Sequence, residues 1–487
     1  MSKAESVAGW TESGARRADS MDSGLPVARG RDRKPQRKAT GTMGRDERSV
    51  FAFCRLGTMS DAMGTRRRSA VARLVTIEPG EWAGLIWSFA YFFCVLAAYY
   101  IVRPVRDEMG VVAGKDGLER IFIYVFLVML AAVPVFGKIV ASFPRRWVVP
   151  VIYVFFIVNL IAFRVALSAG QSKLLAQTFF VWASVFNLFT ISLFWIVMSE
   201  HWGSAQAKRL YGVIAAGGSI GGIIGPFIAQ ALVPLIGPDN LLLVSAVFLG
   251  LALMAAAGVR AAFAGQVYHA PTETPDDSLF KGAWQVWRSP YLFQIALAIL
   301  VANVVSTFFY LEQAGIVGAA ITDRAARVQL FARMDLTVSL LTIIIQVLAT
   351  GVIIQRFGVG IAAGLLPLAA ILGFGALAIA PVLWVIVTVV VIERAITFSI
   401  ASPGMRVLYT LVEPEEKYRA QNFIDTVVFR GGDAVSGSLF GIMTRGLGMA
   451  SAGVAVVSIP LALVWLGLCL GLGRRHAARE RDIRKLQ

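Results

Sequence analysis

Long apolar runs alternate with short polar connections from residue 82 to residue 472. Each run is long enough, at about 1.5 Å per residue, to cross a hydrocarbon core of about 30 Å. The runs lack the period-two alternation of a membrane β-barrel strand, so the pattern predicts transmembrane helices. About twelve are expected. Their predicted limits are 82–102, 121–141, 147–167, 174–199, 210–236, 241–263, 291–314, 328–354, 359–380, 382–401, 420–444 and 449–472.

Composition supports an all-α polytopic membrane protein. The mean hydropathy is +0.69, and 57% of residues are hydrophobic against 16% charged, which is typical of membrane proteins and atypical of soluble ones. The net charge of +16 lies mainly in the tails and short loops, so it does not indicate nucleic acid binding. The three cysteines and three histidines are scattered, and no catalytic, metal or cofactor motif is present. We therefore expect a protein in contact with the lipid bilayer that is not an enzyme.

The polar segments divide the chain. Residues 1–75 are polar and basic, which predicts a disordered basic cytoplasmic tail. A segment rich in Pro, Thr and acids at 264–290 predicts a cytoplasmic linker between two six-helix bundles, 76–263 and 291–473. A second basic cytoplasmic tail is expected at 474–487.

Loop charge predicts the orientation. Basic residues recur in every second connection, on the same side as both tails, at Arg145, Arg146, Lys208, Arg209, Arg356, Lys417 and Arg419. By the positive-inside rule both termini are cytoplasmic, and we expect a bacterial inner-membrane protein. Six plus six spans with a central cytoplasmic linker resemble the major facilitator layout. The loops at 137–146 and 351–358 resemble that family's loop signature, but Ala141 and Gln355 stand where the family has an acid.

The first apolar run ends in the stretch 99–112, which carries Arg103, Arg106 and Asp107. Two hypotheses stay open for these charges. They form the rim of a polar cavity, or they form a charged extracytoplasmic loop that anchors the span where charge is cheap. Periodicity alone favours the loop.

Other charges fall inside apolar runs. The tenth run contains Glu393 and Arg394, and the eleventh contains Asp425, Arg430 and Asp433. Each charge at mid-membrane costs about 2.5–3.5 kcal/mol on insertion scales. Arg430 and Asp433 share a helix face, whereas the adjacent Glu393 and Arg394 point about 100° apart and need separate partners. We expect these side chains to face a cavity; the alternative is a structural pair that locks helices together.

Weaker candidates lie near span ends. Glu200, Lys208 and Arg209 are either site residues or solvated anchors. Glu312 and Asp335 are expected towards the extracytoplasmic side, where they gate a cavity or cap helices.

The fifth run contains Gly217, Gly221 and Gly225, followed by Pro226. The three glycines recur every four residues, so they line one helix face and allow a second helix to approach closely. This segment resembles the core of the antiporter motif in the fifth span of major facilitators. We expect these four residues to serve helix packing and rocking; the alternative is direct contact with a substrate.

Three blocks of the sequence resemble the nucleotide transporter family, the non-mitochondrial ATP/ADP translocases of intracellular bacteria and plastids. The residues that carry the resemblance are Tyr100, Arg103, Arg106, Asp107 and Val111 in the first block, Glu200, Ala207, Lys208, Arg209 and Tyr211 in the second, and the run from Glu416 to Asp425 with Arg430 and Gly432 in the third. Arg106 replaces a family lysine and keeps its charge. Asp433 stands where the translocases have a lysine and reverses the charge.

The resemblance implies a secondary transporter that moves a small anionic, nucleotide-like solute such as ATP or ADP, by exchange or with protons. It implies a role in transport for Arg106 and Glu200. We expect Arg103, Arg106, Arg394 and Arg430 to attract the anion. We expect Asp107, Glu393, Asp425 and Asp433 to balance these charges or carry a proton. Two alternatives remain: a proton-coupled carrier of a different solute, and a non-transporting membrane sensor that uses its basic N-terminal tail for recruitment.

Overall fold

The computed structural model describes residues 77–142, 144–264 and 279–486. Nearly all of this part of the chain is helical, and it contains no β-strand. The predicted tail at 1–75 and residues 265–278 of the predicted linker lie outside the described residues.

Ten helices in the described residues are long and apolar enough to cross a membrane. In chain order we label the first seven α1 (Pro79–Gly114), α2 (Gly117–Val140), α3 (Arg146–Ala169), α4 (Lys173–His201), α5 (Ser204–Ile236), α6 (Leu241–Ala262) and α7 (Pro290–Ala320). The next segment, Arg324–Ile379, is 56 residues long and is broken at Gly358, where φ is +80°. It therefore makes two crossings, α8 (324–357) and α9 (359–379).

The last three crossings are α10 (Leu383–Leu411), α11 (414–446) and α12 (Ser451–Leu486). Helix α11 is continuous from Pro414 to Gly446, and charged residues occur along its length from Glu415 to Arg445. The predicted all-α polytopic architecture of about twelve transmembrane helices in two six-helix bundles is thus confirmed.

The predicted end of the first span was wrong. The chain stays helical through the stretch 99–112 and breaks only at Gly114, where φ is +75° and a side chain would be strained. Arg103, Arg106 and Asp107 therefore lie on α1 rather than in an extracytoplasmic loop. Charged residues in a sequence usually indicate the end of a membrane span. Here the charges lie within the helix because other groups of the protein surround them, so the sequence pattern placed the end of the span too early.

The glycine face of α5 packs directly on α1. A Cβ atom on Gly217 would lie 2.5 Å from the Phe89 carbonyl oxygen, and one on Gly225 would lie 2.9 Å from the Ala97 carbonyl oxygen. A Cβ atom on Gly221 would overlap the backbone of Phe93. The contacting residues are spaced four apart on both helices, so the two backbones stay close together over two turns. Pro226 is buried in the same helix.

Within the described residues, the contacts between the two bundles include those of α1 with α7, α1 with α8, α2 with α11, and α5 with α8. We call the face that contains the α1–α2, α5–α6, α7–α8 and α11–α12 turns the far face, and the opposite face the near face. On the far face, Glu119 of α2 forms an ion pair with Arg445 of α11, which joins the bundles there.

A larger ionic cluster also holds the far face closed. Glu108 near the end of α1 is fully buried and binds two arginines at the start of α8, with 3.0 Å from its Oε2 to Arg324 Nε and 2.8 Å from its Oε1 to Arg327 Nη2. Arg324 also binds Asp239 in the α5–α6 turn, with 2.6 Å between Nη1 and Oδ1. These ion pairs therefore join the end of α1 and the α5–α6 turn of the first bundle to the start of α8 in the second.

The second part of the predicted linker is helical. A short helix spans Leu279–Arg288, and its Gly282 packs against the backbone of Arg419 in α11. Trp284 and Trp287 on this helix are exposed, as expected of aromatic side chains at a membrane interface. At the other end of the chain, α12 continues as a helix through most of the predicted tail 474–487.

Candidate functional site

A polar cavity of about 330 Å³ lies between the two bundles. It is lined by α1, α2 and α4 of the first bundle and by α7, α9, α10 and α11 of the second. Its charged lining residues are Arg106, Glu393, Arg394, Arg430 and Asp433. Pockets of this size hold small organic molecules.

Beside this cavity, Asp335 of α8 lies between two arginines from different bundles. Its Oδ2 atom is 3.5 Å from Arg103 Nε on α1, and its Oδ1 atom is 3.3 Å from Arg394 Nη1 on α10. Asp335 is only 2% exposed, and both arginine side chains are largely buried. One carboxylate thus neutralises only one of two buried cations, so the group carries an excess positive charge.

A second group surrounds Asp107 on α1. Arg106 donates to Asp107 Oδ1 from Nη2 at 2.7 Å and from Nε at 3.0 Å. The Tyr310 hydroxyl of α7 donates to the same oxygen at 3.0 Å. The Arg106 guanidinium also lies 5.0 Å from the centre of the Phe180 ring on α4, within the range of a cation–π contact. These contacts hold Arg106 at the cavity wall.

Glu393 has a different environment from the arginine-bound acids. It is 6% exposed, and its Oε1 atom accepts hydrogen bonds from Ser306 Oγ at 2.6 Å and Thr397 Oγ1 at 3.4 Å. Its neighbour Arg394 turns towards Asp335. A hydroxyl can donate a hydrogen bond to a carboxylate and can accept one from a protonated carboxyl group, so these partners are compatible with both protonation states of Glu393.

The fourth charged group belongs to α11. Arg430 Nη1 and Asp433 Oδ2 are 3.8 Å apart, and the Thr307 hydroxyl of α7 donates to Asp433 Oδ1 at 3.4 Å. Asn303 of α7 donates to the Phe429 carbonyl oxygen one turn along. The ion pair of Arg430 with Asp433 and the hydrogen bond of Thr307 to Asp433 are both long, so a ligand can compete for these two charges.

Taken together, these groups combine four arginines with four carboxylates. The arginines are Arg103, Arg106, Arg394 and Arg430, and the carboxylates are Asp107, Asp335, Glu393 and Asp433. The cations concentrate at the α1–α8–α10 junction, while Glu393 faces hydroxyls on α7 and α10. The cavity lining thus contains both cations and acids, and Arg430 lies next to Asp433.

A second cavity, of about 420 Å³, adjoins the first. Both cavities are lined by Ala302, Thr397 and Arg430, and the second also contacts Arg406 and Asp425. Arg406 and Asp425 are exposed and lie nearer the near-face ends of α10 and α11. The two cavities are therefore adjacent, and the second lies on the near-face side of the first.

Five of the predicted site residues line the central cavity: Arg106, Glu393, Arg394, Arg430 and Asp433. Two more lie beside it, Arg103 paired with Asp335 and Asp107 paired with Arg106. Asp425 lines the adjoining cavity. The other three lie at near-face helix ends. Arg209 binds Glu81 with 2.7 Å between Nη2 and Oε1, Lys208 is exposed, and Glu200 lines a small pocket with Arg146 and Arg260.

The expected place of Asp335 was wrong. Helix α8 begins at Arg324 instead of residue 328, which sets Asp335 three turns into the bundle instead of near its far-face end. Sequence reasoning also missed the polar face of α7. Its residues Asn303, Thr307 and Tyr310 follow helical spacing within an apolar run, and that periodicity is a signal for a cavity-facing stripe.

In the part of the chain that the structure describes, about twelve membrane helices form two bundles around a charged central cavity, which is a major facilitator-like fold. Among solved structures, the chain is similar to a bacterial homologue of the human lysosomal transporter Spinster in an inward-facing, unoccupied conformation, with 14% identity, a TM-score of 0.54, and 83% of this chain and 99% of that chain covered. A mutant of the nucleoside transporter NupG is 13% identical with a TM-score of 0.54, and the match covers 82% of this chain and 99% of that chain. An inward-facing bacterial homologue of the iron transporter ferroportin is 12% identical with a TM-score of 0.57, and the match covers 81% of this chain and 98% of that chain.

These similarities, all below 25% identity, show the fold alone. No family model matches the sequence, and no curated protein matches it.

Within the described residues, no group of three or more His, Cys, Asp and Glu side chains is arranged to hold a metal ion.

Proposed function

We propose that this protein is a secondary transporter that moves a small solute across the membrane by alternating access. The observation that carries the proposal is the charged cavity between two bundles that are tied together at the far face. The adjoining cavity extends this space towards the near face. A buried cavity lined by charges is costly in a membrane unless it binds a ligand or water.

The solute we propose is an anion of low net charge. Arg103 and Arg394 share the single carboxylate of Asp335, so an anionic group of the solute gains two guanidinium partners there. Asp433 and Glu393, which line the same cavity, disfavour a long polyphosphate. The sequence resemblance makes nucleotides the first class to test, and the charge balance favours a monophosphate over ATP.

Proton coupling is the second part of the proposal. Glu393 is a buried carboxyl group held by hydroxyls, and Asp433 is only loosely paired with Arg430. Either group can take up a proton without breaking a short ion pair. This arrangement favours proton-coupled uptake over strict nucleotide exchange, which keeps the alternative of a proton-coupled carrier for another small solute.

The proposed orientation follows the distribution of basic loops. The near face, with both chain ends, is cytoplasmic by the positive-inside rule, in the inner membrane of a bacterium. The far face, where these ion pairs join the two bundles, is then the extracytoplasmic face.

Uptake into proteoliposomes tests the proposal. The purified protein is reconstituted with an imposed pH gradient, and the accumulation of labelled ATP, ADP, AMP and a nucleoside is followed. We expect accumulation of a low-charge anion above that in empty vesicles, and we expect Arg394→Gln to abolish it. Arg356→Gln is the matched control, because Arg356 is exposed at the near-face end of α8. Transport unchanged by Arg394→Gln would refute the cavity as the binding site.

A further inference from the structure

A third cavity, of about 880 Å³, lies at the near face of the second bundle and shares no lining residue with the two cavities described above. It is bounded by the α8–α9 turn, the end of α10 and the outer part of α12. None of the charged groups of the central cavity lines it. The transport proposal therefore leaves this cavity without a role.

One wall of the cavity is apolar and open to lipid. Phe357, Ile361 and Leu470 line it and are 59%, 48% and 37% exposed. Helix α9 runs from the near face into the membrane, so Ile361 lies in its first membrane turn. Helix α12 runs outwards, so Leu470 lies one turn deeper than Arg474. The apolar wall thus lies at the depth of the acyl chains.

The outer wall is polar and includes Arg474, His476 and Glu480. Arg474 is exposed, and α9 begins after Gly358 with the positive end of its dipole at this cavity. The His476 side chain is 7% exposed, and its Nε2 atom has no hydrogen-bond partner among the described residues. The negative charge of Glu480 partly offsets the positive charge of this wall. Arg475 and Arg479 add further positive charge on the same helix.

We propose that this cavity binds one anionic phospholipid. Its phosphate contacts Arg474 and the first turn of α9, with His476 as an additional donor, and its acyl chains lie against Ile361, Leu470 and Phe357. The polar wall lies at the membrane surface and the apolar wall lies deeper in the membrane, which matches the headgroup and acyl chains of a lipid. A free phosphate would contact only the polar wall. Basic pockets between helices at this depth are suited to anionic headgroups. The inference is independent of the transported solute.

Native mass spectrometry of the full-length protein, purified in detergent, tests the site. Phosphatidylglycerol or phosphatidylcholine is added at equal concentration, and retained lipids are counted. Arg474→Ala is compared with Arg475→Ala, which removes the same charge from an adjacent exposed residue that does not line the cavity. We expect Arg474→Ala to reduce phosphatidylglycerol retention about fivefold, and Arg475→Ala less than about twofold.

A second variant tests the apolar wall without a change of charge. Ile361→Trp fills the cavity from its exposed edge, and we expect it to reduce phosphatidylglycerol retention as much as Arg474→Ala does. Equal losses in the two arginine variants would reduce the effect to general surface charge and overturn the site. Equal retention of phosphatidylcholine would overturn the anionic headgroup, and displacement by glycerol 3-phosphate at the lipid's concentration would overturn the lipid itself.

Discussion

The Asp335 carboxylate of α8 lies 3.5 Å from the Arg103 guanidinium of α1, so a buried ion pair joins the two bundles near the centre of the membrane. Arg394 approaches the same carboxylate from α10. Under the proposed function, an anionic solute that binds the two arginines would compete with Asp335 and loosen this junction. One carboxylate would then connect solute binding to the separation of the two bundles.

Removal of the Asp335 charge tests the junction. We expect Asp335→Asn to destabilise the protein by about 3–5 kcal/mol, because it leaves two buried arginines without their counter-charge. Thermal unfolding of the purified variant in detergent measures this. The double variant Arg103→Gln with Asp335→Asn should recover part of the loss, and Asp482→Asn in the exposed end of α12 should have little effect. A double variant with the summed loss of both single changes would mean that the two residues are not coupled.

The far-face cluster should control which side is open. Glu108→Gln weakens the contacts to Arg324 and Arg327, and we expect the far-face ends of α1 and α8 to separate. Distances between spin labels placed on the two bundles at that face measure the change. Glu78→Gln is the matched control, because Glu78 is exposed and pairs with Arg209 within one bundle. If both variants give the distance distribution of the unaltered protein, the cluster does not close this face.

The close contact between α5 and α1 predicts opposite effects for two glycines of one helix. A Cβ atom on Gly221 would overlap the Phe93 backbone, whereas one on Gly212 meets nothing within 4 Å. We expect Gly221→Ala to cost about 1–3 kcal/mol from overpacking. Gly212→Ala should be neutral or slightly stabilising, since alanine favours helix by up to about 1 kcal/mol. Thermal unfolding of both variants decides this; equal melting temperatures would show that the glycine face is not a packing constraint.

Glu393 should carry the coupling proton. We expect Glu393→Gln to lose uptake driven by a pH gradient while retaining exchange of the solute, because glutamine preserves the hydrogen-bonding shape but cannot take up or release a proton. The measurement is proteoliposome uptake with and without a protonophore. Glu416→Gln, at an exposed near-face position of α11, is the control. Gradient-driven uptake by Glu393→Gln at the rate of the unaltered protein would assign the coupling elsewhere.

Apolar periodicity was sufficient to predict the number of crossings, because each run had to cover the same membrane thickness. It failed where charge occurs inside a helix. The stretch with Arg103 and Arg106 has the composition of a loop, and only the partners from α7 and α8 make it a buried helix. Those partners are more than 200 residues away in sequence, so no local pattern contains them.

The candidate site was predictable to the extent that its charges interrupt apolar runs. Glu393, Arg394, Arg430 and Asp433 stand out for that reason, and all four line the central cavity. Uncharged members such as Ser306 do not stand out, because a hydroxyl in a membrane helix usually bonds to its own backbone. Their role depends on which face of α7 turns inwards, and this is set by packing of the whole bundle.

Cysteine accessibility of Ser184 is the most direct test of a wet central passage. Ser184 lies on α4 at the cavity wall, whereas Ser245 is fully buried between α6 and α1. Each is changed to cysteine in a protein whose three native cysteines are replaced, and a membrane-impermeant thiol reagent is applied from either side of oriented vesicles. We predict that Ser184→Cys reacts from the near face, reacts from the far face once Glu108→Gln is added, and that Ser245→Cys reacts from neither. A Ser184→Cys variant that stays unreactive from both faces would contradict alternating access through this cavity.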